Sequence, residues 1–199
     1  MRGRYLLAVG LGLLLGIALT QWGATLMRVH GASMEPTLED GEWVLVVREP
    51  LAHLLGGMGS RAEPGTVVVV ADPAPARAGS AAARLPSPLA GLFAKLLVKR
   101  VAAVGGQVVA LVDGKVEVDG AVSPEPWLDG VPSAHVSYPA VRVPPGTVFL
   151  LGDNRLPLAS RDSRQFGPLG TTSLRGRVVA HVRWPVARGA WRWPVAQVR

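Results

Sequence analysis

From Tyr5 to Met27 the chain carries no charged residue, and Leu6, Leu7, Val9, Leu11, Leu13, Leu14, Leu15, Ile17 and Leu19 would put apolar side chains on every face of a helix. At about 1.5 Å per residue this stretch reaches roughly 34 Å, enough to cross a hydrocarbon core of about 30 Å. The reading is one transmembrane helix over residues 5–27. Arg2 and Arg4 precede it, whereas Arg28 is soon followed by the acidic Glu35, Glu39 and Asp40. The positive-inside rule then places residues 1–4 in the cytoplasm and residues 28–199 outside, as a single-pass protein of the plasma membrane. The alternative is a cleaved signal peptide, which asks for a small-x-small site; Trp22 stands two before Ala24, and His30 two before Ala32.

The 199 residues allow one domain beside such an anchor. With 49% hydrophobic and 18% charged residues the chain can bury a core, which excludes disorder throughout. There is no cysteine. That removes a thiol nucleophile, a disulfide framework, cysteine-ligated zinc and iron–sulfur clusters; no cofactor or metal is expected. The net charge of +7 is uneven, since ten Arg between Arg142 and Arg199 face only Asp153 and Asp162. Such a half suits anionic phospholipid or nucleic acid. No zinc-finger spacing or aromatic RNA-binding motif supports nucleic acid, so a phospholipid membrane is the expected partner.

Short Val- and Leu-rich runs separated by turn residues predict a mostly β domain: Trp43–Val47, Thr66–Ala71, Leu97–Val104, Val108–Val112, Lys115–Val118, Thr147–Leu151 and Arg177–Val182. Asp113-Gly114 and Asp119-Gly120 are hairpin signals. Residues 72–95, rich in Pro, Ala, Gly and Ser at their start, predict a flexible surface excursion.

Four histidines invite a Ser-His-Asp reading, but the G-x-S-x-G elbow that would support it is absent around Ser33. Lysine is the better lead. Arg outnumbers Lys 18 to 3, and Arg cannot give up its proton in a protein whereas a desolvated Lys can. Of Lys95, Lys99 and Lys115, only Lys99 lies in a strongly apolar run, Leu96-Leu97-Val98-Lys99-Arg100-Val101. Lys115 follows Asp113-Gly114 and reads as a solvated hairpin tip.

Here the residues carry a resemblance. Gly31-Ala32-Ser33-Met34-Glu35-Pro36-Thr37-Leu38 resembles the serine box of bacterial type I signal peptidases. Gly65-Thr66-Val67-Val68-Val69 is similar to that family's next strand, and Lys99-Arg100-Val101 to its lysine box. Gly152-Asp153-Asn154-Arg155, with Ser160, Asp162-Ser163-Arg164 and Gly167, resembles its final box. Three departures stand out: Ala103-Val104-Gly105-Gly106-Gln107 lacks the family's Pro and Asp, two extra residues lie between Asn154 and Asp162, and Gly31 stands where some members carry an oxyanion-binding serine.

The resemblance implies a fold of coiled antiparallel sheets and cleavage of preprotein signal peptides by a membrane-bound serine endopeptidase, expected to be monomeric. Ser33 would be the nucleophile and neutral Lys99 the general base, a recognised variant of triad logic. The lysine pKa must then fall from about 10.4 toward 7 or 8, for which Leu96, Leu97, Val98 and Val101 offer an apolar wall. The Ser33 N–H is the expected oxyanion donor, Ser160 the residue that aims the lysine, and Met34 and Pro36 the substrate contacts. Asp153 with Arg100 and Asp162 with Arg164 are expected ion pairs; ordinary surface pairing is the alternative. Ser33 lies six residues beyond Met27, within roughly 20 Å of the expected helix end at about 3.6 Å per residue, so cleavage is expected close to the membrane. Trp184, Trp191 and Trp193, interleaved with Arg, suit either a headgroup layer or a core edge. Two other readings remain open: a Ser-Lys membrane peptidase dedicated to one conjugation or pilus substrate, and a non-catalytic membrane-anchored binding domain.

Overall fold

The computed structural model describes residues 5, 10–12, 16, 23–48, 62–73, 95–131, 135–182 and 195–197. Among the described residues twelve strands follow in chain order: β1 (Ala24–Arg28), β2 (Trp43–Val47), β3 (Val67–Ala71), β4 (Leu96–Val104), β5 (Val108–Val112), β6 (Lys115–Val118), β7 (Ala121–Val122), β8 (Tyr138–Arg142), β9 (Thr147–Leu151), β10 (Leu169–Gly170), β11 (Leu174–Val182) and β12 (Val195–Gln197). A short helix, α1 (Ser163–Phe166), begins at Asp162, whose side chain caps it by accepting from the Arg164 N–H. The expected mostly β class of curled antiparallel sheets is what the chain adopts.

The larger sheet runs β1-β2-β11-β3-β4-β9-β10, with β12 on β11; the smaller runs β7-β6-β5-β8. Every pairing is antiparallel. The two-residue turns at Asp113-Gly114 and Asp119-Gly120 all have positive φ, the type I′ signature that lets right-twisted strands pair through a tight hairpin.

Side-chain alternation distributes the core. Along β3, Val67 and Val69 enter one cluster with Val29, Met34, Leu38 and Val44, while Val68 and Val70 enter another with Leu97, Val101, Val148 and Leu150. Both faces of this strand are covered, which explains why it reads as an unbroken apolar run. A third cluster joins the two sheets through Ala103, Phe149 and Leu151 on one side and Val109, Leu111 and Val116 on the other.

The expected helix over residues 5–27 is corrected at its end. Ala24 to Met27 form most of β1, paired residue for residue with β2, from Ala24 opposite Val47 to Arg28 opposite Trp43. Thr25 and Met27 turn inward while Ala24, Leu26 and Arg28 are exposed, a period of two that marks a half-buried strand. The sheet therefore begins before residue 28. Tyr5, Gly10–Gly12 and Gly16 are helical, and the rest of the expected helix lies outside the described residues. Among the described residues no helix is long and apolar enough to cross a membrane. The Asp72 N–H donates to the Lys95 carbonyl at 2.7 Å, closing the base of the expected excursion, whose interior lies outside the described residues, as do Trp184, Trp191 and Trp193.

Candidate active site

Ser33 sits on the turn after β1, and two buried neighbours pin that turn. Met34 and Leu38 are both inserted in the core with Val29, and the Leu38 N–H donates to the Met34 carbonyl at 2.9 Å. Gly31 enters the turn at φ 86°, a region costly for residues with a Cβ, and its N–H donates to Asp40 Oδ1 at 2.7 Å. A serine at this position would be strained, which gives the Gly its physical reason. Asn154 clamps the turn from the far side: its N–H donates to the Ser33 carbonyl at 3.2 Å and its Nδ2 to the Ala32 carbonyl at 3.0 Å.

Lys99 comes from the middle of β4, directly opposite Val68 of β3. Alternation puts it on one face with Leu97 and Val101, so two of the four expected wall residues flank it, while Leu96 and Val98 fall on the other face. Its side chain is 2% exposed. The Nζ donates to Ser33 Oγ at 2.7 Å and to the Val98 carbonyl at 2.7 Å. Burial lowers its pKa to about 8, although the charges of Asp162 and Asp153 pull it back up.

The two expected ion pairs exist and are buried, which rules out ordinary surface pairing. Arg100 grips Asp153 through two parallel bonds, Nε to Oδ1 at 2.9 Å and Nη2 to Oδ2 at 2.7 Å. Arg100 also donates to the Gly65 carbonyl and stacks 3.9 Å over the Trp127 ring. Arg164 grips Asp162 in the same manner at 2.9 and 2.8 Å. Burial pushes the Asp162 carboxyl up, but bonds from Arg164 and the Gly152 N–H outweigh it and hold its pKa below the ordinary carboxylate value.

Two expected roles are placed differently. Ser160 is buried beside Gly152, but no hydrogen bond joins its Oγ to the lysine; the amine is held by the Val98 carbonyl instead. Met34 is 1% exposed within the core, so its side chain packs the turn and is not available to a substrate. Pro36 is exposed and lines a cleft beside the serine, where a substrate can reach it. Lys115 is exposed at its hairpin, as expected. His30 bonds the Arg28 carbonyl, His135 pairs with Asp113 and His181 with Glu42; the side-chain partner of Ser33 Oγ is Lys99.

Trp127 and Glu125 had no signal in the sequence, and Gly152, Asn154 and Arg155 were marked only as members of the final box, without individual roles. Asn154 clamps the serine turn, and Trp127 lies under Arg100. Glu125 forms a buried pair with Arg155, whose Nε in turn donates to the Gly152 carbonyl at 2.9 Å. A Cβ on Gly152 would stand 2.5 Å from the Ser33 carbonyl oxygen, so only glycine lets the final box close on the serine turn. Among the described residues no group of His, Cys, Asp or Glu is arranged to hold a metal.

Comparison with known proteins identifies the family. The family described as "Signal peptidase, peptidase S26" matches residues 2–184. Signal peptidase I of Mycobacterium tuberculosis, in strains CDC 1551 / Oshkosh and ATCC 25618 / H37Rv, is 39% identical over 117 residues. That match covers 51% of this chain and 39% of the length of those relatives. A crystal structure of a signal peptidase I from Enterococcus faecalis V583 is similar with a TM-score of 0.43 and 21% identity, covering 60% of this chain and 97% of that one. With the family match running through the serine turn, the lysine strand and the final box, the chain belongs to the signal peptidase family, peptidase S26.

Proposed function

We propose that the chain is a membrane-bound serine endopeptidase that removes signal peptides from translocated preproteins with a Ser33–Lys99 dyad. The observation that carries this is the 2.7 Å contact between Lys99 Nζ and Ser33 Oγ, with the amine buried and its pKa near 8. In the neutral amine, the Val98 carbonyl takes one N–H and the lone pair is free to accept the Ser33 hydroxyl proton. Ser33 Oγ then attacks the scissile carbonyl carbon. The Ser33 N–H, which has no acceptor among the described residues, is suited to the developing oxyanion. The lysine returns its proton to the leaving amine, and an ester on Ser33 remains. Water, deprotonated by the same lysine, releases the signal peptide as a carboxylate.

Arg100–Asp153 and Arg164–Asp162 support the final box beside the dyad. The uncharged segment before β1 supports a membrane anchor with the N-terminus cytoplasmic and the β domain outside. The test is incubation of the detergent-solubilised full chain with a preprotein, reading the new N-terminus by mass spectrometry. A single cut after a small residue is expected. Absence of cutting across several preproteins overturns general processing, and a cut in only one secreted substrate points to a dedicated peptidase.

A further inference from the structure

Beside the serine turn opens a cleft of about 610 Å³, within the usual ligand-pocket range of about 300–1,000 Å³. We infer that this cleft receives the part of the substrate that follows the scissile bond, held as an extended chain against apolar side chains. The inference rests on the peptidase reading above.

Continuity with the nucleophile is the first argument. Glu35 and Pro36, two and three residues past Ser33, form one border of the cleft, and Asn154, which clamps the serine turn, forms another. A chain whose carbonyl lies on Ser33 Oγ meets this cleft directly.

Direction is the second argument. No lining residue comes from β1, the strand that follows the apolar N-terminal segment, or from its partner β2; the far wall is built by the β5–β6 turn, Val122 of β7 and the residues after it. A signal peptide occupying the same membrane as that segment approaches from the β1 side. The chain beyond the cut therefore leaves over Pro36 toward the smaller sheet.

Chemistry is the third. Val122, Val131 and Leu156 are three of the ten large apolar side chains left exposed in the described residues, at 59%, 42% and 58%, and all three line this cleft. Apolar surface gathered beside a nucleophile is better explained by an occupant than by chance scatter. Its wall is rigid, because the buried Glu125–Arg155 pair ties the residues after β7 to Gly152 at the dyad.

The experiment compares two substrates with the same sequence before the cleaved bond. One carries a single residue as its leaving group and the other a six-residue segment of a mature protein. Wild type and the exposed-site variants Leu156→Asp and Val122→Asp are assayed on both, with melting curves confirming the fold. The ratio of kcat/KM for the long substrate to that for the short one is expected to fall about ten-fold in the variants. An unchanged ratio overturns the inference, whether both rates hold or both fall together. Wild type cutting neither substrate overturns the peptidase reading itself, a separate outcome.

Discussion

Lys99 Nζ and Ser33 Oγ are 2.7 Å apart although their residues are 66 positions apart in sequence. The contact exists because β4 carries the lysine into the sheet's interior and the core-anchored Met34 holds the serine turn over it. A charged lysine would be costly in that place. With its pKa near 8, the amine is neutral often enough at moderate pH to act as a base.

The first prediction concerns pH and activity. Only the neutral lysine can take the Ser33 proton, so kcat/KM rises with pH and levels off above about 8. A pH profile flat from 6 to 9 would contradict the assignment.

The same group predicts a stability effect of defined sign. The unfolded lysine holds its proton up to about 10.5 and the folded one loses it near 8, so the unfolded state binds more protons between these values and stability rises with pH across that window. Lys99→Met removes the burden at neutral pH and is expected to stabilise the fold by up to about 3 kcal/mol at pH 7. Melting curves at pH 7 and pH 10 should show the advantage shrinking as pH rises; an equal advantage at both sets the idea aside.

Much of this was legible beforehand, and the reasons differ by element. β2, β5, β6 and β9 coincide with the Val- and Leu-rich runs, since punctuated apolar runs and Asp-Gly turns are local signals. β1 was hidden at the end of a uniformly apolar stretch, where no period separates helix from strand until a partner strand is in place. β8 contains Pro139, which argues against a strand; it is tolerated because β8 is an edge. Lys99 stood out through its rarity and apolar neighbours. Trp127 and Glu125 did not, and Asn154 and Arg155 stood out only as motif members, because their contacts are with residues far away in the chain.

Gly152→Ala should be severe. The added Cβ would press on the Ser33 carbonyl oxygen and on the Ser160 side chain, displacing the serine from the lysine. A displacement of this kind costs about 10²-fold in kcat. Kinetics together with a crystal structure of the variant check it; full activity would show that the two segments separate freely.

Asn154→Ala removes the Nδ2 bond to the Ala32 carbonyl while keeping the backbone bond to Ser33. We expect kcat to fall roughly ten-fold with the melting temperature little changed, because the lost contact steadies the turn more than the core. A loss of stability without a loss of kcat would assign Asn154 to the fold alone.

Asp162→Asn breaks the buried pair with Arg164 and should cost about 3–5 kcal/mol at neutral pH. The folded carboxyl titrates below its unfolded value of 3.8, so its contribution is present above that pH and lost as pH falls through the folded pKa. Denaturant melts should therefore show the gap between wild type and variant closing on acidification below about pH 4.

The most direct measurement is preprotein cleavage by the Lys99→Arg variant beside wild type, with circular dichroism to show that both are folded. Arginine keeps the positive charge but cannot become a neutral base, so the dyad predicts a loss of at least about 10³-fold in kcat. Cleavage by folded Lys99→Arg at the wild-type rate would contradict it.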